Sequence, residues 1–256
     1  MSDAIKKFDL ATPAQCGVVA GEPNEVYHGI DDVVSHSRLK VFGDRPRRFE
    51  GQFIDKTIRP QQSEAFDFGN MAHCLILEPA AYLKRYAVYP PTPEDIPRNK
   101  DGSPKKTSTE YKAWKKNELE PFERLHRGKL FVSPEDDRRA RNMRDSVQEH
   151  PAAKALLSDG FSEVVFRSEP LANGLNIQCR ADFWNPDGCE ITDGEPYIAD
   201  LKTIDSLDQI ESQAAKLGYY RQAGFYVKTA NLVHDGACER FFFIFTEKQP
   251  PFECAV

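Results

Sequence analysis

The chain has 256 residues, of which 40% are apolar and 29% are charged, a composition typical of a globular protein and not of a disordered or fibrous one. Asp and Glu outnumber Lys and Arg by 40 to 34, which gives a formal net charge of −6. A nucleic-acid partner would therefore have to be held by a local basic patch. The sequence has no stretch of about 20 apolar residues and no apolar signal segment near its start, so we expect a cytoplasmic protein without membrane contact.

The six cysteines do not follow a metal-binding pattern. They occupy positions 16, 74, 179, 189, 238 and 254. No two are spaced as CxxC, and no histidines accompany them at zinc-finger spacing. An iron–sulfur cluster, which needs four cysteines brought together, is disfavoured for the same reason. We therefore expect free thiols.

The first part of the chain is predicted to be mainly helical. Residues 1–26 mix Pro, Gly, Asn and charge without periodicity, which predicts a loose N-terminal arm. A short helix is predicted to begin at Ser35 or Ser37, because either hydroxyl could cap it. The segment SEAFDFGNMAHCLILEP carries apolar residues at helical spacing and closes at Pro79, so we predict a largely buried helix that contains His73.

A basic segment and a long helix follow. Residues 90–116 are rich in Pro and Lys and contain seven basic side chains, which predicts an exposed excursion from the domain. Most charge runs are solvated loops, and a contact with DNA is the alternative that remains open. An amphipathic helix is predicted from about Pro134 to Leu157, capped by Ser133 and interrupted near Pro151.

From residue 161 onwards the apolar pattern changes to a period of two, which is typical of strands. The predicted strands are 162–169, 175–184, 197–204 and 239–246, with a helix over 207–228 between the last two. This order predicts a mixed α+β fold with a central mixed sheet flanked by helices. We expect residues 27–256 to form a single domain.

Carboxylates on two of these predicted strands are placed to share a cation. Alternation puts Asp182 and Trp184 on one face of their strand, and Asp200 and Lys202 on one face of the next. The connection 185–196 is short enough for the two strands to pair as neighbours. The two aspartates could then hold one Mg²⁺ or Mn²⁺, with the lysine beside a scissile phosphate. A salt bridge at the sheet edge is the alternative.

Four motifs, in order, match the RecB-type branch of the PD-(D/E)XK nuclease superfamily. They are GNMAH at 69–73, the acid at 182, DLKT at 200–203 and QAGFY at 222–226. The segments SHSRLKVF, FGNMAHCLILEP, RADFW, ADLKT and YYRQAGFY more closely resemble the RecE exonuclease (exodeoxyribonuclease VIII) group. The resemblance runs from about Tyr27 to the end of the chain. Relatives continue past the last strand into a helical segment, whereas this chain stops at PPFECAV, which raises the possibility of a truncated C-terminus.

The resemblance implies a role for each matching residue. The implied metal ligands are His73, Asp182, Asp200 and the Leu201 carbonyl. Lys202 matches the catalytic lysine, and Glu163 matches an acid that helps to build the metal site, so the implied catalytic set is Glu163, Asp182, Asp200 and Lys202. The helix motif implies site support or DNA contact for Gln222 and Tyr226, with Tyr220 beside them.

Residue chemistry adds candidate phosphate contacts near the predicted first helix. Hydroxyls and N–H groups at a helix start bind phosphate, and arginines add paired donors. This points to Ser35, Ser37, Arg38 and Arg47. The alternative is that the serines only cap the helix and the arginines are solvated. Structural alternatives also remain for the other candidates, since a lone histidine in an apolar helix is often a core residue and strand acids are often merely exposed.

The resemblance implies a Mg²⁺-dependent deoxyribonuclease in which Mn²⁺ substitutes, with one or two ions per site. It further implies 5′→3′ degradation of double-stranded DNA ends, which leaves 3′ single strands for recombination by strand annealing. A ring-shaped homo-oligomer, trimer or tetramer, and a single-strand annealing protein are the implied partners. Two alternatives remain: a RecB-like nuclease acting on single strands or flaps, and a catalytically inactive domain that binds DNA.

Overall fold

The computed structural model describes residues 15–59 and 64–256, with the backbone alone at 64–67. Its first elements are β1 (Gly17–Val19), α1 (Asn24–Gly29), β2 (Val33–Val34), α2 (His36–Asp44), α3 (Pro46–Phe49), a π-helical segment (Glu50–Ile54), α4 (Glu64–Leu77), α5 (Pro79–Arg85) and β3 (Tyr86–Val88). The next are α6 (Thr109–Trp114), a second π-helical segment (Lys115–Leu119), α7 (Glu120–Leu125), β4 (Leu130–Val132), α8 (Pro134–Glu149) and α9 (Pro151–Leu156).

The remaining elements alternate between strands and helices. They are β5 (Phe161–Arg167), β6 (Asn176–Asn185), β7 (Tyr197–Ile204), α10 (Ile210–Leu217), α11 (Tyr219–Val233), β8 (Arg240–Glu247) and β9 (Cys254–Ala255), with short 3₁₀ turns at Glu190–Thr192 and Leu207–Gln209. All six cysteines are free thiols, as predicted. Within the described ranges, no helix is both long and apolar enough to cross a membrane.

The larger sheet is mixed and has the order β1-β5-β6-β7-β8-β9, with β2 beside the start of β6, whereas β3 and β4 pair parallel in a separate two-stranded sheet. Within the larger sheet, neighbouring strands are antiparallel except for the parallel pairs β7–β8 and β2–β6. Helix α11 covers one face of the sheet through residues such as Ala230. The other face packs against α8 and α9 through Val147 and Leu156, and α4 packs on α8. The predicted mixed α+β fold, a central mixed sheet flanked by helices, is confirmed.

The predicted helix over 207–228 is two helices. Gly218 ends α10 with a φ of 70°, in the left-handed region that glycine adopts without strain, and its N–H donates to the Ala214 carbonyl. Helix α11 then starts at Tyr219. The break predicted near Pro151 is confirmed, since that proline begins α9, and Ser133 caps α8 by accepting from the Asp136 N–H.

Part of the predicted loose arm belongs to the sheet. Residues 1–14 lie outside the described residues, but β1 pairs antiparallel with β5 and buries Val18 and Val19. Glu22 lies beyond that strand and forms a buried ion pair with Arg167. The prediction of a loose arm is therefore wrong for residues 15–26. Two apolar residues are too short a run for periodicity to reveal, and the partner strand supplies the rest of the burial.

All seven basic side chains of segment 90–116 are exposed, as predicted. It is nevertheless anchored, because Ile96 and Trp114 are 2% and 8% exposed. Ser108 caps α6 by accepting from the Tyr111 N–H. The segment is thus a folded excursion with two apolar anchors, which the Pro- and Lys-rich composition concealed.

Candidate active site

The candidate site lies where strands β6 and β7 separate. Their ladder ends at the pair Phe183–Ala199, one step before Asp182 and Asp200. Beyond that pair, a side-chain hydrogen bond replaces the backbone hydrogen bonds between the two strands: Asp182 Oδ2 accepts from the Leu201 N–H at 2.9 Å. The N–H and C=O of one strand residue point to the same side, so the Leu201 carbonyl also faces this opening.

Glu163 lies opposite Asp182 at a distortion of the β5–β6 ladder. The pairs on either side are Ser162–Phe183 and Val164–Ala181. Glu163 has a φ of 54°, in the left-handed region that a residue with a side chain adopts at a cost of roughly 1–2 kcal/mol. Arg180 holds the carboxylate, with its Nε 3.1 Å from Glu163 Oε2. The two acids are thereby brought face to face at the opening.

This distortion also corrects the predicted faces of β6. Strict alternation predicts Trp184 on the polar face beside Asp182, but Trp184 is 1% exposed and packs in the apolar cluster with Cys179 and Ala181. Phe183 instead packs against the opposite face of the sheet. The alternation of side chains between the two faces of β6 is broken at Asp182, opposite the left-handed backbone of Glu163. Sequence alternation alone cannot predict such a local change in backbone conformation.

Asp200 is the most buried acid of the site, at 1% exposure. Its Oδ1 accepts from Gln222 Nε2 at 2.6 Å, and its Oδ2 contacts the Lys202 ammonium group. Burial raises the pKa of Asp200 to about 6, against the lowering effect of Lys202. Burial lowers the pKa of Lys202, but Asp200 and Asp182 raise it more, so the net pKa lies above its ordinary value. The lysine is therefore a cation at neutral pH.

His73 reaches the same place from α4. Its Nδ1 lies 3.5 Å from Asp182 Oδ2. Burial and the Lys202 charge lower the pKa of His73 to about 4, although Asp200 and a hydrogen bond with the Leu201 backbone act in the other direction. The imidazole is thus neutral at neutral pH, the form in which a ring nitrogen binds a metal ion.

The carboxylates crowd one another. Burial and the nearby Asp182 raise the pKa of Glu163 to about 7, with Arg180 opposing. Burial likewise raises the pKa of Asp182, and the Lys202 charge and the Leu201 N–H oppose it. Anionic charge is therefore unfavourable at all three acids as the side chains stand. A bound cation would relieve this cost.

The donors present are carboxylate oxygens, one backbone carbonyl and one neutral imidazole, and this set suits a hard divalent cation such as Mg²⁺ or Mn²⁺. Among the side chains of residues 15–59 and 68–256, no three His, Cys, Asp or Glu groups lie close enough together to form a ready-made metal site. Lys202 occupies one oxygen of Asp200. The donor chemistry therefore fits the implied metal, with Lys202 in contact with one of the ligands.

The candidate residues on α11 differ in how closely they approach the acids. Gln222 is buried and fixes Asp200, as described above. Tyr226 is half-buried beside the site, where burial raises its pKa well above the ordinary value and Tyr27 and Asp200 add to the effect. Tyr220 is 64% exposed, and its hydroxyl accepts from Arg221 Nε at 3.1 Å. The structure thus brings Gln222 and Tyr226 to the acids and leaves Tyr220 at the surface.

The candidate phosphate contacts near α2 have mixed outcomes. Ser35 caps the helix by accepting from the Arg38 N–H at 3.4 Å, and its hydroxyl lies 3.0 Å from that of Ser37. The Arg38 guanidinium donates to three carbonyls at 2.6–2.8 Å, namely those of Ile30, Asp31 and Val33. The structure gives Arg38 a different role from the predicted phosphate contact, because most of its donors hold the preceding loop. Ser37 and Arg47 are exposed.

Arg38→Ala is therefore expected to destabilise the fold by about 2 kcal/mol, since three carbonyls lose a charged donor. Thermal unfolding should shift down by roughly 4–8 °C. The exposed Arg47→Ala is the matched control and should change stability by less than about 0.5 kcal/mol. Equal melting temperatures for wild type and Arg38→Ala would contradict the loop-holding role.

Three cationic or ionisable residues near the site were not predicted. The His36 ring centroid lies 6.2 Å from that of Phe225 and 6.5 Å from that of Tyr226, so α2 packs on α11 here. Burial lowers the pKa of His36, and the charges of Lys40, Lys202 and Arg221 add to the lowering. His36 and Lys40 are one helical turn apart, a spacing that could have indicated a shared face. No spacing or motif in the sequence indicated that Arg221 lies near the site.

A comparison of the chain with models of known protein families bears on the fold. Residues 35–256 match the model of a PDDEXK-like domain of unknown function (DUF3799). The match supports the PD-(D/E)XK superfamily and a nuclease-type fold, and it does not single out the RecE group. The search of curated proteins gives no match to the chain. Because the family model spans most of the sequence, the chain belongs to this family of PDDEXK-like domains.

Proposed function

We propose that the chain is a metal-dependent DNA exonuclease that degrades the 5′-terminated strand of double-stranded ends and leaves 3′ single strands for recombination by annealing. The observation that carries the proposal is the convergence of His73, Asp182, Asp200 and Lys202 at the opening between β6 and β7. The family match supports a nuclease-type fold. The direction and the substrate rest on the resemblance to RecE exonucleases.

His73, Asp182, Asp200 and the Leu201 carbonyl would hold the cation, and Glu163 would complete the acidic side of the site. When bound, one or two Mg²⁺ or Mn²⁺ ions lower the pKa of a water ligand and neutralise charge on the phosphate. Gln222 would keep Asp200 oriented through its 2.6 Å hydrogen bond. The buried position of Asp200 would exclude competing water from its carboxylate.

Lys202 would stabilise the charge that develops on the phosphate or orient the attacking water. Its Nζ lies 5.5 Å from the Tyr219 ring centroid and 6.0 Å from that of Phe243. These rings limit where the ammonium group can move and favour the cation through their π faces. A preorganised positive charge beside the acids would stabilise the negative charge that develops during phosphodiester hydrolysis.

Two partners belong to the proposal. A ring-shaped homo-oligomer, trimer or tetramer, would keep a protein with a net charge of −6 on a polyanion by enclosing it. A single-strand annealing protein would receive the 3′ strand. Both rest on the resemblance, and the number of subunits in purified protein, measured by light scattering, tests the first.

The proposal is tested with linear duplex DNA labelled on either its 5′ or its 3′ ends, and with a covalently closed circle as control. We expect rapid release of the 5′ label with Mg²⁺, late loss of the 3′ label, an intact circle and no reaction in EDTA. Cleavage of the circle, or activity confined to single strands or flaps, would contradict it. Binding of DNA without cleavage, in both Mg²⁺ and Mn²⁺, would indicate an inactive DNA-binding domain.

His73→Ala is expected to lower metal affinity by at least about tenfold to a hundredfold, the loss that follows when only a residue orienting a ligand is removed, and to reduce activity with it. Excess Mn²⁺ should rescue part of the activity, because Mn²⁺ accepts nitrogen ligands more readily than Mg²⁺. The measurement is activity against metal concentration, with the exposed His28→Ala as control. A lower melting temperature with an unchanged metal dependence would show a core histidine and refute the ligand role.

A further inference from the structure

Helix α2, helix α3 and the residues that follow them form a basic segment that begins beside the site. Residues 36–59 contain seven Lys or Arg against three Asp or Glu, in a chain whose net charge is −6. Arg38 is held by loop carbonyls, and Lys56 pairs with Asp31 at 2.6 Å. The positive charge of this segment is therefore a local exception on an acidic protein, and it fits a polyanion.

Other cations of the segment remain available for a ligand. Arg45, Arg47 and Arg48 are exposed, and Lys40 is half-buried. Among the described side chains, those of residues 15–59 and 68–256, no acidic group forms an ion pair with any of these four. Their charge is thus not neutralised within the described fold, in contrast to that of Lys56.

Apolar side chains are interleaved with these cations. Leu39 and Phe42 are 43% and 52% exposed, and Ile54 and Ile58 are 65% and 42% exposed. Phe42 rests edge-on against Phe49, with ring centroids 5.4 Å apart. One ring is thereby held in place by another while half of its surface faces solvent. Exposed aromatic rings among basic residues are typical of surfaces on which unpaired bases stack.

The segment is continuous with the candidate active site. His36, at the start of α2, packs on Phe225 and Tyr226 of α11. Phe42 lies six residues further along the same helix, which places it about 9 Å away along the helix axis. A strand that leaves the carboxylates along α2 would therefore reach this ring within a few nucleotides.

We propose that residues 36–59 bind single-stranded DNA, with a base stacked on Phe42 and the phosphates held by Lys40, Arg45, Arg47 and Arg48. The inference rests on the proposed function for the choice of DNA as substrate. It assigns the unpaired strand, rather than the duplex, to this surface, because only an unpaired base exposes a face to an aromatic ring. The same cations without the ring would fit either form.

The test is fluorescence anisotropy of the full chain in EDTA, with a labelled oligothymidylate and a labelled abasic strand of equal length. Phe42→Ala is expected to weaken oligothymidylate binding about tenfold, as the loss of one base–aromatic stack does. Binding of the abasic strand should not change, because it has no base to stack. Phe42→Trp should retain wild-type affinity, and Leu125→Ala, which alters a leucine 80% exposed on α7, is the matched control.

Arg47→Gln with Arg48→Gln should weaken both strands equally and flatten the salt dependence of binding. The proposal is overturned if Phe42→Ala binds oligothymidylate as the wild type does, or if it loses both strands equally while its melting temperature is unchanged. Concentration-dependent self-association that Phe42→Ala abolishes would instead assign the surface to a second copy of the chain. The binding test is done in EDTA and does not depend on cleavage. A separate finding that the enzyme is inactive with Mg²⁺ would refute the proposed function and leave the outcome of the binding test unchanged.

Discussion

Asp200→Asn is expected to lower DNA cleavage by at least about 10³-fold, and Lys202→Ala by about 10²–10³-fold, with DNA binding in EDTA unchanged. Asn keeps an oxygen for the Gln222 hydrogen bond but loses the charge that a cation and Lys202 require. The alanine removes the ammonium group that would face the phosphate. Neither change opens the apolar core, because both side chains belong to the polar opening between β6 and β7.

The control for this experiment is Asp205→Asn, which neutralises an exposed acid just past the end of the same strand. That variant should keep wild-type cleavage, and its free energy of unfolding should differ from that of the wild type by less than about 0.5 kcal/mol. Near wild-type turnover of Asp200→Asn or Lys202→Ala in Mg²⁺ would contradict the site assignment, whatever the fold.

The second large effect is on stability. Arg167→Ala is expected to destabilise the protein by about 3–5 kcal/mol, because it leaves a buried carboxylate at Glu22 without its cation. The two side chains are 2% and 0% exposed, and Arg167 also donates to Gln178 and to the Gln15 carbonyl. Urea unfolding, followed by circular dichroism, gives the change in the free energy of unfolding.

Arg138→Ala is the matched control for this measurement. It breaks the Arg138–Glu135 pair, in which both side chains are 61% exposed, and exposed pairs contribute about 0–1 kcal/mol. If Arg167→Ala unfolds at the same urea concentration as Arg138→Ala, then β1 and its following residues are not held to the sheet as the structure indicates.

Much of the site could be predicted from the sequence because its residues follow simple rules. Alternation on one strand placed Asp200 and Lys202 together, and a short connection predicted that β6 and β7 are neighbours. His73 and Gln222 were found by motif resemblance, since nothing in helical spacing alone distinguishes a ligand from a core residue. The structure brings these four residues together with Asp182 and Glu163.

The remaining features depend on contacts between distant parts of the chain. The left-handed Glu163 breaks the alternation that predicted the position of Trp184. The role of Arg38 is set by three carbonyls of an irregular loop, which no spacing encodes. His36 became a site residue only because α2 packs on α11. Such tertiary contacts override local patterns, and for this reason the predicted role of Arg38 and the predicted loose arm over residues 15–26 needed revision.

The central claim is that His73, Asp182 and Asp200 hold the cation that hydrolysis needs. The most direct measurement is anomalous X-ray scattering from crystals of the protein grown with Mn²⁺. We predict a peak within bonding distance of both aspartate carboxylates and of an imidazole nitrogen, and its loss in crystals of Asp200→Asn. Crystals of protein that cleaves DNA with Mn²⁺, but that show no peak at these side chains, would contradict the claim.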